Sequence, residues 1–143
     1  MKFTKKAEYS VILASELALE GTGLVSLSQL AKKCQVSYGL LRNVAFLLSK
    51  AGLVAGEEGK SGGYRLAKPA DRIVLREVLE AIGEPIIHCP CCGGEKECAG
   101  SSVCPRNSIL ISLQGAIDGI IGDLTLGKLV KGDASCMKMW KRY

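Results

Sequence analysis

Apolar residues recur at helical spacing through the first half of the chain. Between Thr4 and Glu20, Tyr9, Ile12, Leu13, Glu16 and Leu17 follow one another at three- and four-residue intervals. That pattern predicts a helix with one side turned to a core, stopped by Gly21-Thr-Gly23. A second, short helix is predicted through Cys34, capped by Ser26 or Ser28, with Leu27, Leu30 and Ala31 facing in. After a tight turn at Gln35-Val36, Ser37 caps a third helix that runs to about Ala51 and carries Leu40, Leu41, Val44, Leu47 and Leu48 on its apolar side. Gly52 fits its C-terminal stop.

The pattern then shortens. Leu53-Val-Ala55 and Tyr64-Arg-Leu66 read as two strands joined by the glycine-rich stretch 56–63, the composition of a hairpin tip. A turn at Lys68–Asp71 leads to a fourth helix, Val74–Ile82, with Leu75, Val78, Leu79 and Ile82 inward. Residues 88–104 show no period. Pro105 suits the first position of a helix, and the long helix predicted from there to about Asp123 carries Ile109, Leu110, Leu113, Ile117, Ile120 and Ile121. This stripe is wider than one small domain needs. Gly115 and Gly119, four apart on one face, fit close approach by a second subunit.

Composition narrows the class. The 143 residues, 48% hydrophobic and 23% charged, suit one ordered domain or a domain with an appendage. No apolar run approaches the ~20 residues of a membrane helix, and Met1–Lys6 leads into no signal-type apolar core, so a cytoplasmic protein without a membrane partner is expected. An aromatic content of 5% excludes a stacking platform for single strands. The net charge of +5 lies within residues 28–68, where seven basic side chains face two acidic ones, and the rest of the chain is formally neutral. Such a local excess is the footprint of a phosphate-binding surface.

Two consecutive helices, a turn and a glycine-tipped basic hairpin follow the order of a winged helix-turn-helix. The start of the third helix can enter the major groove while the hairpin reaches the adjacent backbone or minor groove. Ser37, Tyr38, Arg42 and Asn43 then lie on the exposed side of the recognition helix, with Arg42 suited to guanine and Asn43 to adenine. Lys60 and Ser61 sit at the wing tip, and Lys32 and Lys33 face phosphates. No acid–base or nucleophile constellation is evident, so an enzyme is not expected.

Five of the seven cysteines (Cys89, Cys91, Cys92, Cys98 and Cys104) fall within sixteen residues. In a reducing compartment such a cluster reads as metal ligation more readily than as disulfides. Cys92, Cys98 and Cys104 are each separated by five residues, unlike the close pairs of zinc ribbons, and Gly93, Gly94 and Gly100 let the loop wrap a larger object. Three other readings stay open at this level. One is a zinc site that adds Cys89 to those three, and another is a thiol–disulfide switch. The third is a small electron-transfer iron–sulfur protein, which the basic hairpin disfavours.

The stretch Leu48-Ser-Lys-Ala-Gly-Leu-Val54 followed by Gly59-Lys-Ser-Gly-Gly-Tyr-Arg-Leu-Ala-Lys-Pro-Ala70 resembles the wing of the IscR/NsrR family of bacterial transcription regulators. Met1-Lys-Phe-Thr4, Val74-Leu-Arg-Glu-Val78 and Leu124-Thr-Leu-Gly-Lys-Leu-Val130 are similar to the family's opening, fourth helix and ending. The resemblance implies a mainly α fold with a small β wing, in which a winged helix-turn-helix head (1–84) precedes a cysteine-rich cluster-binding loop (85–104). A dimerisation helix segment (105–130) and a flexible tail (131–143) follow. It further implies a homodimer on a palindromic operator in double-stranded DNA, controlled by an iron–sulfur cluster of the [2Fe–2S] or [4Fe–4S] type bound by Cys92, Cys98 and Cys104. The cluster-biogenesis branch places a histidine where this chain has Asn107. The nitric-oxide-sensing branch uses an acidic residue on the first helix of the other subunit, here Glu8, which competes with His88, Cys89 and Cys91 for the fourth position.

Overall fold

A computed structural model describes residues 4–59, 62–83 and 105–132. Helix α1 (Lys5–Glu20) starts where Thr4 accepts a hydrogen bond from the Ala7 amide, and it ends at Gly21, whose φ of 69° is the left-handed turn a glycine allows. Helix α2 (Leu27–Cys34) follows Ser26, whose side chain caps no helix amide and instead pairs with the Ser28 hydroxyl at 3.0 Å. Helix α3 (Tyr38–Lys50) is capped as the sequence predicts, with the Ser37 hydroxyl accepting from the Leu40 amide. Between α2 and α3 the chain reverses in three residues. Gln35 takes φ 55° there, and its N–H returns to the Ala31 and Lys32 carbonyls.

Strands β1 (Val54–Glu57) and β2 (Gly63–Leu66) pair antiparallel, Val54 opposite Leu66 and Glu57 opposite Gly63. They lie slightly nearer the hairpin tip than the hydrophobic pattern suggests. Val25 adds a bridge to Tyr64 that the pattern does not reveal, with both amides bonded across it at 2.8 and 2.9 Å. That bridge docks the wing on the segment before α2. Gly63 is required at the contact, because a Cβ there would stand 2.8 Å from the Val25 carbonyl oxygen.

A 3-10 turn (Ala70–Arg72) leads into α4 (Leu75–Ala81), at whose start the N-cap Val74 N donates to the Glu77 carboxylate at 3.0 Å. Helix α5 (Pro105–Asp123) matches the helix predicted from Pro105. The chain then breaks at Leu124–Thr125 and turns into a separate helix, α6 (Leu126–Gly132). Thr125 bridges to Val74, Leu75 N donates to the Leu124 carbonyl, and Leu126 N donates to the Ile73 carbonyl. The segment 105–130 thus holds α5, which ends at Asp123 as the sequence predicts, and most of α6, which packs on the head.

The core is one cluster. Leu13 and Leu17 of α1, Leu41, Val44 and Leu48 of α3, Ile73, Val78 of α4 and Leu126 of α6 are all shut off from solvent. Burial of this apolar surface is what holds the helices and the two-stranded ribbon in one arrangement. Cys34, at the end of α2, is half-buried, and that burial pushes its thiol above the ordinary range.

Candidate nucleic-acid interface

The recognition surface is built from α3 outward. Its buried side (Leu41, Val44, Ala45 and Leu48) packs into the core, which leaves Tyr38, Gly39, Arg42, Asn43, Phe46, Ser49 and Lys50 exposed on the other side. Ser37, Tyr38, Arg42 and Asn43 thus stand together at the exposed start of this helix. A Cβ at Gly39 would meet nothing closer than the Ser37 hydroxyl at 4.0 Å, and the exposed glycine leaves the backbone accessible to a groove wall.

The head of α3 is fixed from beneath. The hydroxyl of Tyr9, a buried residue of α1, accepts a hydrogen bond from the Ser37 backbone N–H at 3.1 Å. One of the orphan donors at a helix start is thereby satisfied by a side chain 28 residues away. No local motif marks this contact, and only the apolar register that turns Tyr9 inward hints at it.

The wing stands beside the recognition helix. Between them lies an open cleft of about 310 Å3, lined by Ser26 and Ser28 from the start of α2, Tyr38 and Arg42 from α3, and Glu57, Gly63 and Tyr64 from the wing. Arg65 pairs with Glu57 across the ribbon at 2.9 Å. The tip residues Lys60 and Ser61 lie outside the described residues. Lys32 is exposed at the end of α2. Lys33 is exposed too, but its ammonium is held at 2.6 Å by Glu16 of α1, and that hydrogen bond raises its pKa above 10.5. Its charge is directed at α1.

Of the residues expected to hold a cluster, Cys92, Cys98 and Cys104 lie outside the described residues, as do the competitors His88, Cys89 and Cys91. Glu8 is visible. It sits in the first turn of α1, where the helix dipole favours a carboxylate, with its side chain 27% exposed and 3.3 Å from the Lys5 ammonium. Close by in the chain, Lys6 donates to the Ile82 carbonyl at 2.7 Å, tying the first turn of α1 to the end of α4, from which the cysteine segment departs. Among the described residues no group of three or more His, Cys, Asp or Glu side chains converges on a metal-sized site.

A helix-turn-helix, an exposed polar face on its second helix and a docked antiparallel ribbon define a winged-helix DNA-binding head. Over residues 3–132 the sequence matches the model of the Rrf2 family, described as an iron-dependent transcriptional regulator, and the chain belongs to that family. It is a DNA-binding transcription regulator, in a family of regulators rather than enzymes. The HTH-type transcriptional regulator IscR of Photobacterium profundum is 32% identical over 132 residues, covering 92% of this chain and 76% of that one. Among solved structures, CymR, the global cysteine regulator of B. subtilis, superposes with a TM-score of 0.75 at 24% identity over 93% of this chain and 98% of that one. The T. potens IscR structure gives 0.74 at 23% identity, covering 92% and 88%. At that identity the structural likeness speaks for the fold. No helix among the described residues is long and apolar enough to cross a membrane.

Proposed function

We propose that this regulator is a cytoplasmic homodimer that binds a palindromic operator and answers to an iron–sulfur cluster held by Cys92, Cys98 and Cys104, with Glu8 of the partner subunit as the fourth ligand. The donor chemistry fits the group. Thiolates are the ordinary ligands of such clusters, and the partly exposed Glu8 carboxylate is an oxygen donor held only by the surface pair with Lys5. When bound, the cluster supplies a redox-active centre that oxygen or nitric oxide can attack.

The observation that carries the coupling is the layout of α1. Glu8 and Tyr9 are consecutive: one presents its carboxylate to solvent, and the other holds the first backbone donor of the recognition helix. A change in what Glu8 touches is thus one residue away from the contact that sets the start of α3. The dimer is supported by α5, on which Ile109, Leu113 and Ile120 are exposed and Gly115 and Gly119 have open space where a Cβ would stand. In a palindromic complex the two recognition helices sit about one turn of DNA apart.

The test uses full-length protein purified without oxygen and a duplex that it selects from a random pool. The cluster-loaded form is expected to show visible iron–sulfur absorption and to differ from the apo form in duplex affinity at fixed salt. Equal affinities would refute the coupling, and a colourless zinc-containing protein would refute the cluster. An unchanged spectrum in Glu8→Ala would remove Glu8 as a ligand.

A further inference from the structure

We propose that Phe46 is a base-reading residue, and that it recognises the C5-methyl group of a thymine in the major groove. The proposal rests on the DNA-binding role of the head and names what one residue of the reading face selects.

Phe46 is 63% exposed, the most exposed aromatic among the described residues. Its neighbours at 44, 45, 47 and 48 turn into the core or its margin, so the register of α3 places Phe46 outward. At about 100° per residue, Tyr38, Arg42, Phe46, Gly39, Lys50 and Asn43 span an arc of about 140°, and Phe46 falls near its middle. Along the axis it stands about 6 Å beyond Arg42. Gly39, Arg42, Asn43 and Phe46 follow the i, i+3, i+4, i+7 spacing of positions that a recognition helix turns to the floor of the groove, the last three with side chains. The flanking side chains have clear chemistry there: Arg42 suits guanine and Asn43 suits adenine. A phenyl ring between them offers no hydrogen bond. The only apolar feature on a major-groove base edge is the thymine methyl, so the ring's partner follows from its position. Scattered single apolar residues occur on any surface, but this one is centred on the face that meets DNA.

The experiment starts from a duplex that the wild-type protein selects from a randomised pool. Each thymine of that duplex is then replaced singly by deoxyuridine, which removes the methyl and leaves every hydrogen bond in place. The wild type is expected to lose about fourfold in affinity at one thymine per half-site, the equivalent of one buried methyl group. Phe46→Ala is expected to bind the thymine and uracil duplexes equally, while Phe46→Leu keeps part of the preference. Because the ring is exposed, Phe46→Ala should keep the wild-type melting temperature. Wild-type protein indifferent to every uracil substitution would overturn the proposal alone. Phe46→Ala retaining the full preference would also overturn it, by assigning the methyl contact to another residue. A pool from which no duplex is enriched would overturn this reading together with the DNA-binding one.

Discussion

Replacing Tyr9 by Phe removes a single oxygen from the interior of the head. The ring stays, so the packing of α1 against α3 is preserved, and the Ser37 N–H loses its acceptor at 3.1 Å. A hydrogen bond of this kind contributes about 1 kcal/mol net, and a buried donor left without a partner costs about 1–3 kcal/mol. Ser37 is itself exposed, so water can partly replace the hydroxyl and the lower figure applies. For a chain of 143 residues, a loss of about 1 kcal/mol lowers the melting temperature by roughly 3–5 °C. Duplex affinity should fall more than stability suggests, because the freed amide lies at the end of α3 that enters the groove. Thermal unfolding followed by circular dichroism and duplex titration at fixed salt read the two effects separately. A Tyr9→Phe protein identical to wild type in both would refute the view that this bond positions the recognition helix. Tyr9→Ala, which also removes the ring, should cost about 3–5 kcal/mol and serves as the disruptive control.

Two further outcomes concern other parts of the fold. Leu126→Ala should destabilise the protein by about 2–5 kcal/mol in urea titration, because this fully buried side chain anchors α6 in the head; a loss under about 1 kcal/mol would mean that α6 is not part of the core. Glu16→Gln should weaken the protein by no more than about 1 kcal/mol, given the 63% exposure of the Lys33 side chain. Since the Lys33 pKa is raised, that contribution is present in full below 10.5 and disappears as pH rises beyond it. The stability difference between wild type and Glu16→Gln should therefore be constant from neutral pH to about 9 and should close in stronger alkali; a difference that grows there would refute the pairing.

Local signals carried much of this structure. Ser37 followed by Leu41, Val44 and Leu48 announces the recognition helix and its inward side, and Pro105 announces the start of α5. Contacts between segments far apart in sequence left no such mark. The end of α5 near Asp123 was legible, whereas the docking of Leu124-Thr-Leu-Gly-Lys-Leu-Val130 on the head as a separate helix was not. That docking follows from Thr125, whose hydroxyl accepts from Lys128 N and whose backbone joins Val74, and nothing local marks the pairing with Val74. Lys33 reads as a phosphate contact only while Glu16 is out of view. Phe46 was missed among the site residues expected from the sequence, although with Leu40, Leu41, Val44, Leu47 and Leu48 inward the register leaves it outside.

The return of α6 onto the head turns α5 into a lever. Its C-terminal end is clamped by the Val74–Thr125 bridge and by Leu126, so the head moves with the helix instead of swinging from it. A helix of 19 residues is about 28 Å long. In the proposed homodimer, a 10° change in the angle at which two such helices cross near their far ends would shift one head relative to the other by about 5 Å, roughly one and a half base-pair steps of 3.4 Å along the duplex. Small adjustments where the two α5 helices meet, far from any nucleotide, would then decide whether both heads fall in register on the operator.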